Sequence, residues 1–351
     1  MASAAGTALY YARTTVAALA ADSASTPAPP PPPGLATQAV VAAAAFFALD
    51  SALSRLPLGA WLDRWARTPP PGPKARAALA REVTIKLVGL VHLGVQLPLA
   101  TVALAGAGGR AAFGGPPLRL LGWWGGGAGP GAAAALPPAV AAARLYAATP
   151  LTHAAVAISA GYFAWDVVAL LPRLRTAGSA MLAHGLLCAA LYWYGALSGS
   201  LSFYGAMFVL WEASTPAVYA RWLALETGWG PGTRVYTGAG VAMMASFFVA
   251  RVLGGAAASA AFWASAAAEL GGTIPRRPGA LPPAVIVAFR AANVGMTALN
   301  LWWFSRMVAG LARLVARLRA GGGGAGGGGV GGKRGGEGSP RRGCGRGLHE
   351  E

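Results

Sequence analysis

An all-α polytopic membrane protein with about seven transmembrane helices is the fold class this chain predicts, on three observations. Of its 351 residues 55% are hydrophobic and only 11% charged, with a mean hydropathy of +0.51, a balance too apolar for a soluble domain. The apolar residues gather in runs long enough, or nearly so, to cross about 30 Å of hydrocarbon at about 1.5 Å per residue. The basic residues behind the net charge of +17 fall mostly in short segments between those runs. That is the placement of topology signals, and no specific nucleic-acid partner is expected from it.

Residues 1–34 are rich in Ala, Ser and Thr and end in "PAPPPPPGL", a stiff polyproline II spacer with no core to pack, so a disordered N-terminus is expected. A cleaved targeting peptide is another reading of it, with Arg13 as a weak basic region. The apolar runs then lie near Leu35–Leu53, Ile85–Ala107, Thr152–Leu171, Ala180–Leu197, Leu201–Leu223, Val235–Leu253 and Ala284–Val308. Only "SGS", Ser198–Ser200, separates the fourth from the fifth, which makes a tight helical hairpin. "AAASAAFWASAAAEL", Ala256–Leu270, either extends the sixth helix or lies in the interface. From Gly321 the chain is Gly- and Arg-rich and too poor in apolar groups to fold. Cys188 sits in an apolar run and Cys344 in that tail, so neither a disulfide nor a thiolate metal site is expected.

Orientation follows from the basic loops. Arg55, Arg64, Arg67, Lys74, Arg76 and Arg81 fill the first, Arg173 and Arg175 the third, Arg221 and Arg234 the fifth, and Arg313, Arg317 and Arg319 follow the last helix. Arg110, Arg119 and Arg144 are spread along a long second loop, and Arg276 and Arg277 stand in the sixth. Basic short loops stay cytosolic, so an odd number of helices puts the N-terminus in the lumen and the C-terminus in the cytosol.

With that orientation the polar groups inside the runs gather in the cytosolic half. His92 lies about 10 Å past the cytosolic end of the second helix, Asp166 about 8 Å before that of the third and His184 about 7 Å into the fourth. Asp166 and His184 therefore flank one short loop and are expected to come within reach of each other. Asn300 lies about 12 Å from the cytosolic end of the seventh helix, and Glu212 is deeper. For His92 and Asn300 a hydrogen bond between helices weighs more than chemistry. For Asp166, Glu212 and His184 the cost of burial favours a lined cavity or site. Tyr162, one turn before Asp166, can bond it or join the aromatic packing around Trp165. His92, Tyr162, Asp166, His184, Glu212 and Asn300 together form the set expected to line a cavity. No ligand spacing supports a metal, and no cofactor is expected.

"FVLWEASTPAVYARW", Phe208–Trp222, places a glutamate and a proline within one apolar run. Pro216 lacks an N–H and leaves the carbonyl of Glu212 unpaired, so the helix should bend there, with Ser214 and Thr215 re-satisfying the backbone. Arg221 is out of phase with Glu212 and snorkels to the headgroups, so Glu212 needs a partner from another helix or a proton. On that footing Glu212→Gln is expected to leave folding almost intact.

"GYFAWDVVALL", "MLAHGLLCAALYWYG", "LWEASTPAVYARWLAL", "GAGVAMMASFFVARVLGG" and "LNLWWFSRMVAG" follow one another in the order of a TLC domain. The chain resembles that family, shared by ceramide synthases, translocation-associated membrane proteins and a ceroid-lipofuscinosis protein, from about Glu82 to Ala316. It is most similar to small TLC-domain proteins without known catalysis. The resemblance implies six helices in a ring around a central cavity, residues 82–316, with the helix 35–53 peripheral. It departs from the synthases at His184, where they carry two adjacent histidines and this chain has Gly185, so their acyl-transfer machinery is incomplete.

Three functions follow as expectations. The first is lipid handling or sensing in membrane lipid homeostasis, with lipids or acyl chains as partners in the cavity and without ceramide synthase activity. The second is a membrane acyltransferase with His184 as general base and Asp166 orienting it. The third is a translocation or cargo-trafficking role with membrane-protein partners. The expected location is the endoplasmic reticulum or another endomembrane.

Overall fold

The computed structural model describes residues 34–106, 136–276 and 278–322. The expected disorder of the N-terminal segment and of the tail, and the second-loop arginines 110 and 119, lie outside them. Among the described residues every regular element is helical. In chain order these are α1 (Leu35–Leu53), α2 (Leu58–Trp65), α3 (Gly72–Ala105), α4 (Pro138–Tyr146), α5 (Pro150–Leu170), α6 (Leu174–Ala177), α7 (Ser179–Ser198) and α8 (Ser202–Val209), followed by α9 (Thr215–Glu226), α10 (Arg234–Phe247), α11 (Gly254–Leu270) and α12 (Pro283–Gly322).

Six continuous helical stretches among the described residues are long and apolar enough to cross a membrane. The fifth expected span, Leu201–Leu223, is present as α8 and α9, but a 3-10 segment, Leu210–Ser214, divides it and neither piece crosses alone. Ala256–Leu270 resolves as an extension of the sixth helix, because α10 runs through a π-helical turn, Phe248–Leu253, into α11. The second span starts at Gly72, well before the expected Ile85 and before Glu82, since Pro71 and Gly72 end the preceding loop, Pro73 fits the first turn and residues 74–84 carry no breaker.

Local chemistry explains the ends. Thr149 and Thr152 form a reciprocal capping box in front of α5, with Pro150 in the first turn. Thr233 accepts from the Tyr236 N–H to start α10. Gly199 closes α7 in the left-handed region at φ 69°, its N–H bonded to the Gly195 carbonyl, and the chain turns straight into α8. His153 Nε2 lies 3.4 Å from the Gly199 carbonyl, and the Leu201 N–H bonds the Leu145 carbonyl at 2.7 Å. This hairpin is thereby tied to α5 and α4.

Packing contacts run α3, α5, α7, α12, the α10–α11 helix, the broken α8–α9 helix and back to α3, which closes a ring of six. α1 stands outside it, mainly against α5. Gly161 permits that contact, since a Cβ there would stand 2.6 Å from the Ala42 Cβ. Charged groups clip one end of the bundle. Arg81 pairs with Asp50, which also accepts from Trp165 Nε1 at 3.3 Å. Arg173 Nη1 donates to both Glu82 oxygens at 2.7 and 2.8 Å, and Lys86, 3.2 Å from Glu82, lies 3.7 Å from the Trp222 ring centroid. α1, α3, α5 and α9 meet in this way.

Candidate functional site

Glu212 sits in the 3-10 segment between α8 and α9, and Arg251 in the π-helical turn between α10 and α11. These two irregular segments face each other. Pro216 accounts for the first: without an N–H it fits only the first turn of a new helix, so α9 begins at Thr215 and the preceding residues tighten. A π turn widens a helix by one residue and re-aims the side chains after it, a device frequent at functional sites.

Arg251 is 8% exposed. Its Nη2 donates to Glu212 Oε1 at 2.8 Å and to Thr215 Oγ1 at 3.1 Å. Its Nε donates to Ser214 Oγ at 3.0 Å, and its Nη1 to Asn300 Oδ1 on α12 at 3.3 Å. The Thr215 hydroxyl donates in turn to Glu212 Oε2 at 2.6 Å. The buried carboxylate is thus met by a guanidinium and a hydroxyl, and the two charges, one from each irregular segment, are closed on each other. Ser214 donates to the Trp211 carbonyl at 3.3 Å, whereas Thr215 serves the carboxylate and not the backbone.

Beside this pair lies a cavity of about 80 Å³ within the ring, walled mostly by apolar side chains of α5, α7, α8, α11 and α12, among them Phe163, Cys188, Tyr192, Phe208 and Phe262. His184, Glu212 and Asn293 give it polar points. His184 Nε2 stands 3.9 Å from Glu212 Oε1, an ion-pair distance longer than a hydrogen bond, and 3.8 Å from the Cys188 sulfur. The ring of Trp303 meets the imidazole edge-on at 5.7 Å.

Of the residues expected to line a cavity, His184 and Glu212 are on this wall. Asn300, His92, Tyr162 and Asp166 are not among its lining residues, because each is taken up in a seam between helices or turned to one. Asn300 backs Arg251. His92 stacks on Tyr162 at 3.8 Å with 5° between the rings, and its Nε2 is 3.4 Å from Ser159 Oγ. Asp166 and His184 are not joined by any described hydrogen bond or ion pair. Asp166 Oδ2 instead lies against the next residue, 3.4 Å from where a Cβ at Gly185 would stand. Gly185 is therefore the residue facing Asp166, and the carboxylate beside His184 belongs to Glu212.

Arg251, missed as a site residue, is the centre of the cluster. Its signal was present: an arginine in the middle of an apolar run is as expensive as the glutamate and calls for a partner of opposite sign. Arg221 pairs with the Tyr236 hydroxyl and leaves Glu212 alone. No group of three or more His, Cys, Asp or Glu able to hold a metal occurs among the described residues.

Comparison with known proteins bears on the same region. Residues 140–309 match the family model of the TLC domain. An uncharacterized TLC domain-containing protein of Schizosaccharomyces pombe is 26% identical over 160 residues, 45% of this chain and 51% of that protein, so the chain spans about half the length of this curated relative. No solved structure matches. The family match takes in α5, α7, the Glu212 segment, Arg251 and most of α12, and leaves α3 with His92 outside it. Through residues 140–309, just under half of its length, the chain is similar to the TLC domain.

Proposed function

We propose that the protein handles or senses membrane lipid, holding part of an apolar chain in the cavity with the polar end of the ligand at His184 and Glu212. The observation that carries this reading is the composition of the wall: aromatic and aliphatic side chains from five helices, with a carboxylate and an imidazole together at one place. A volume of about 80 Å³ is roughly half that of an apolar cavity known to admit benzene. Room exists for only a few non-hydrogen atoms, so on this reading the cavity takes the polar end with the first carbons of a ligand and the rest of the chain lies outside it. The role proposed is in membrane lipid homeostasis, in the endoplasmic reticulum or another endomembrane, with the N-terminus lumenal and the C-terminus cytosolic.

Mass spectrometry of lipid retained after gentle purification tests the reading. Leu191 lines the cavity, and Leu191→Trp should fill it and abolish the retained species. Leu197→Trp, on a side chain 65% exposed, should leave it. Equal retention in both variants, or no lipid in the wild type, would defeat the proposal. A translocation role without a ligand predicts the latter result.

A further inference from the structure

The charges at the cavity are balanced in one direction only. Glu212 is on the wall, whereas Arg251 is not among the lining residues and stands behind it. All three guanidinium nitrogens are committed, to Glu212 and Thr215, to Ser214 and to Asn300. The positive charge is used up within the protein and is not offered to a ligand.

Glu212 still has acceptor capacity. A carboxylate offers about four lone-pair sites, and the described hydrogen bonds use one on each oxygen, from Arg251 and from Thr215. What the wall presents at this point is an acceptor of neutralised charge. Trp211, 6% exposed and on the same wall, adds an indole N–H with no partner among the described residues. An anion placed here would lie against a carboxylate whose counter-ion is already engaged. A cation would add a charge to a neutral cluster beside a guanidinium. An uncharged donor meets neither penalty.

We infer that the cavity takes a lipid whose headgroup is uncharged and carries a hydroxyl or amide hydrogen, and that it turns away anionic headgroups. This rests on the reading of the cavity as a lipid site. Glu212 sets the selectivity by accepting from the headgroup, and Arg251 balances its charge and holds it in place.

Two probes of equal chain length, radiolabelled cetyl alcohol and cetyl sulfonate, test this on the full chain in bilayer discs. The sulfonate is anionic at any working pH. The wild type should bind the alcohol more tightly by at least about tenfold, because a sulfonate there gives up its hydration and meets the carboxylate end of the Glu212–Arg251 pair with its counter-ion on the far side. Glu212→Gln leaves the Arg251 charge uncompensated and should reverse the order in favour of the sulfonate. Glu212→Gln with Arg251→Gln removes both charges and should restore preference for the alcohol. Wild-type protein that binds sulfonate as well as alcohol, or a Glu212→Gln variant with an unchanged ratio, overturns the inference and leaves the lipid reading standing. Binding of neither probe to the wild type overturns both. If Glu212→Gln does not accumulate, the wild-type ratio decides.

Discussion

Arg251 Nη2 and Glu212 Oε1 meet at 2.8 Å across two helices, each from a segment where regular α-helix is interrupted. A buried pair of this kind contributes modestly as a pair, yet losing one partner strands the other. Arg251→Gln should therefore cost about 3–5 kcal/mol, read as lower yield and a lower unfolding midpoint in detergent. Glu212→Gln should also lose stability, against the near-neutral outcome its sequence context suggested. Changing both to Gln should recover most of the loss. A double variant no better than the worse single one would show that charge is not what joins these segments.

Thr215 tests the same cluster more gently. Its hydroxyl donates to Glu212 Oε2 at 2.6 Å and accepts from Arg251 at 3.1 Å. Thr215→Val keeps the shape and removes both bonds, at an expected cost of about 1–3 kcal/mol for the polar groups left behind. Thr215→Ser should stay near the wild type. If Val and Ser variants unfold together, the hydroxyl contributes nothing.

Gly161 tests the seat of α1. An added Cβ meets the Ala43 nitrogen at 2.5 Å as well as Ala42, and backbone on both sides cannot yield as a flexible side chain would. Gly161→Leu should displace α1 and lower stability by about 1–3 kcal/mol. Cross-linking of cysteines introduced on α1 and α5 should fall in step. Undiminished cross-linking would place the seat of α1 elsewhere.

Orientation is open to a direct measurement. Protease protection of tags at the two ends should show a lumenal N-terminus and a cytosolic C-terminus. A protected C-terminal tag would overturn the odd number of crossings, and the cytosolic depth assigned to His92, Asp166 and His184 with it.

The sequence by itself determined the class of fold and carried the likeness to the TLC domain. Long apolar runs leave the backbone no choice but to bond within itself as helix, and the run Leu35–Leu53 even has the observed bounds. Pro216 also announced an interruption near Glu212, because a missing N–H acts locally and is legible in one dimension. Tertiary structure alone decided the partners. Glu212 and Arg251 are 39 residues apart in the chain, and nothing in a helical period says which way a π turn will aim an arginine. Equal depth on adjacent helices drew Asp166 and His184 together on paper. Rotation of α7 about its axis instead set Gly185 toward Asp166 and His184 toward the cavity. Depth follows from rise per residue along a chain, whereas facing follows from how side chains of neighbouring helices pack, which the chain settles only when all of them are present.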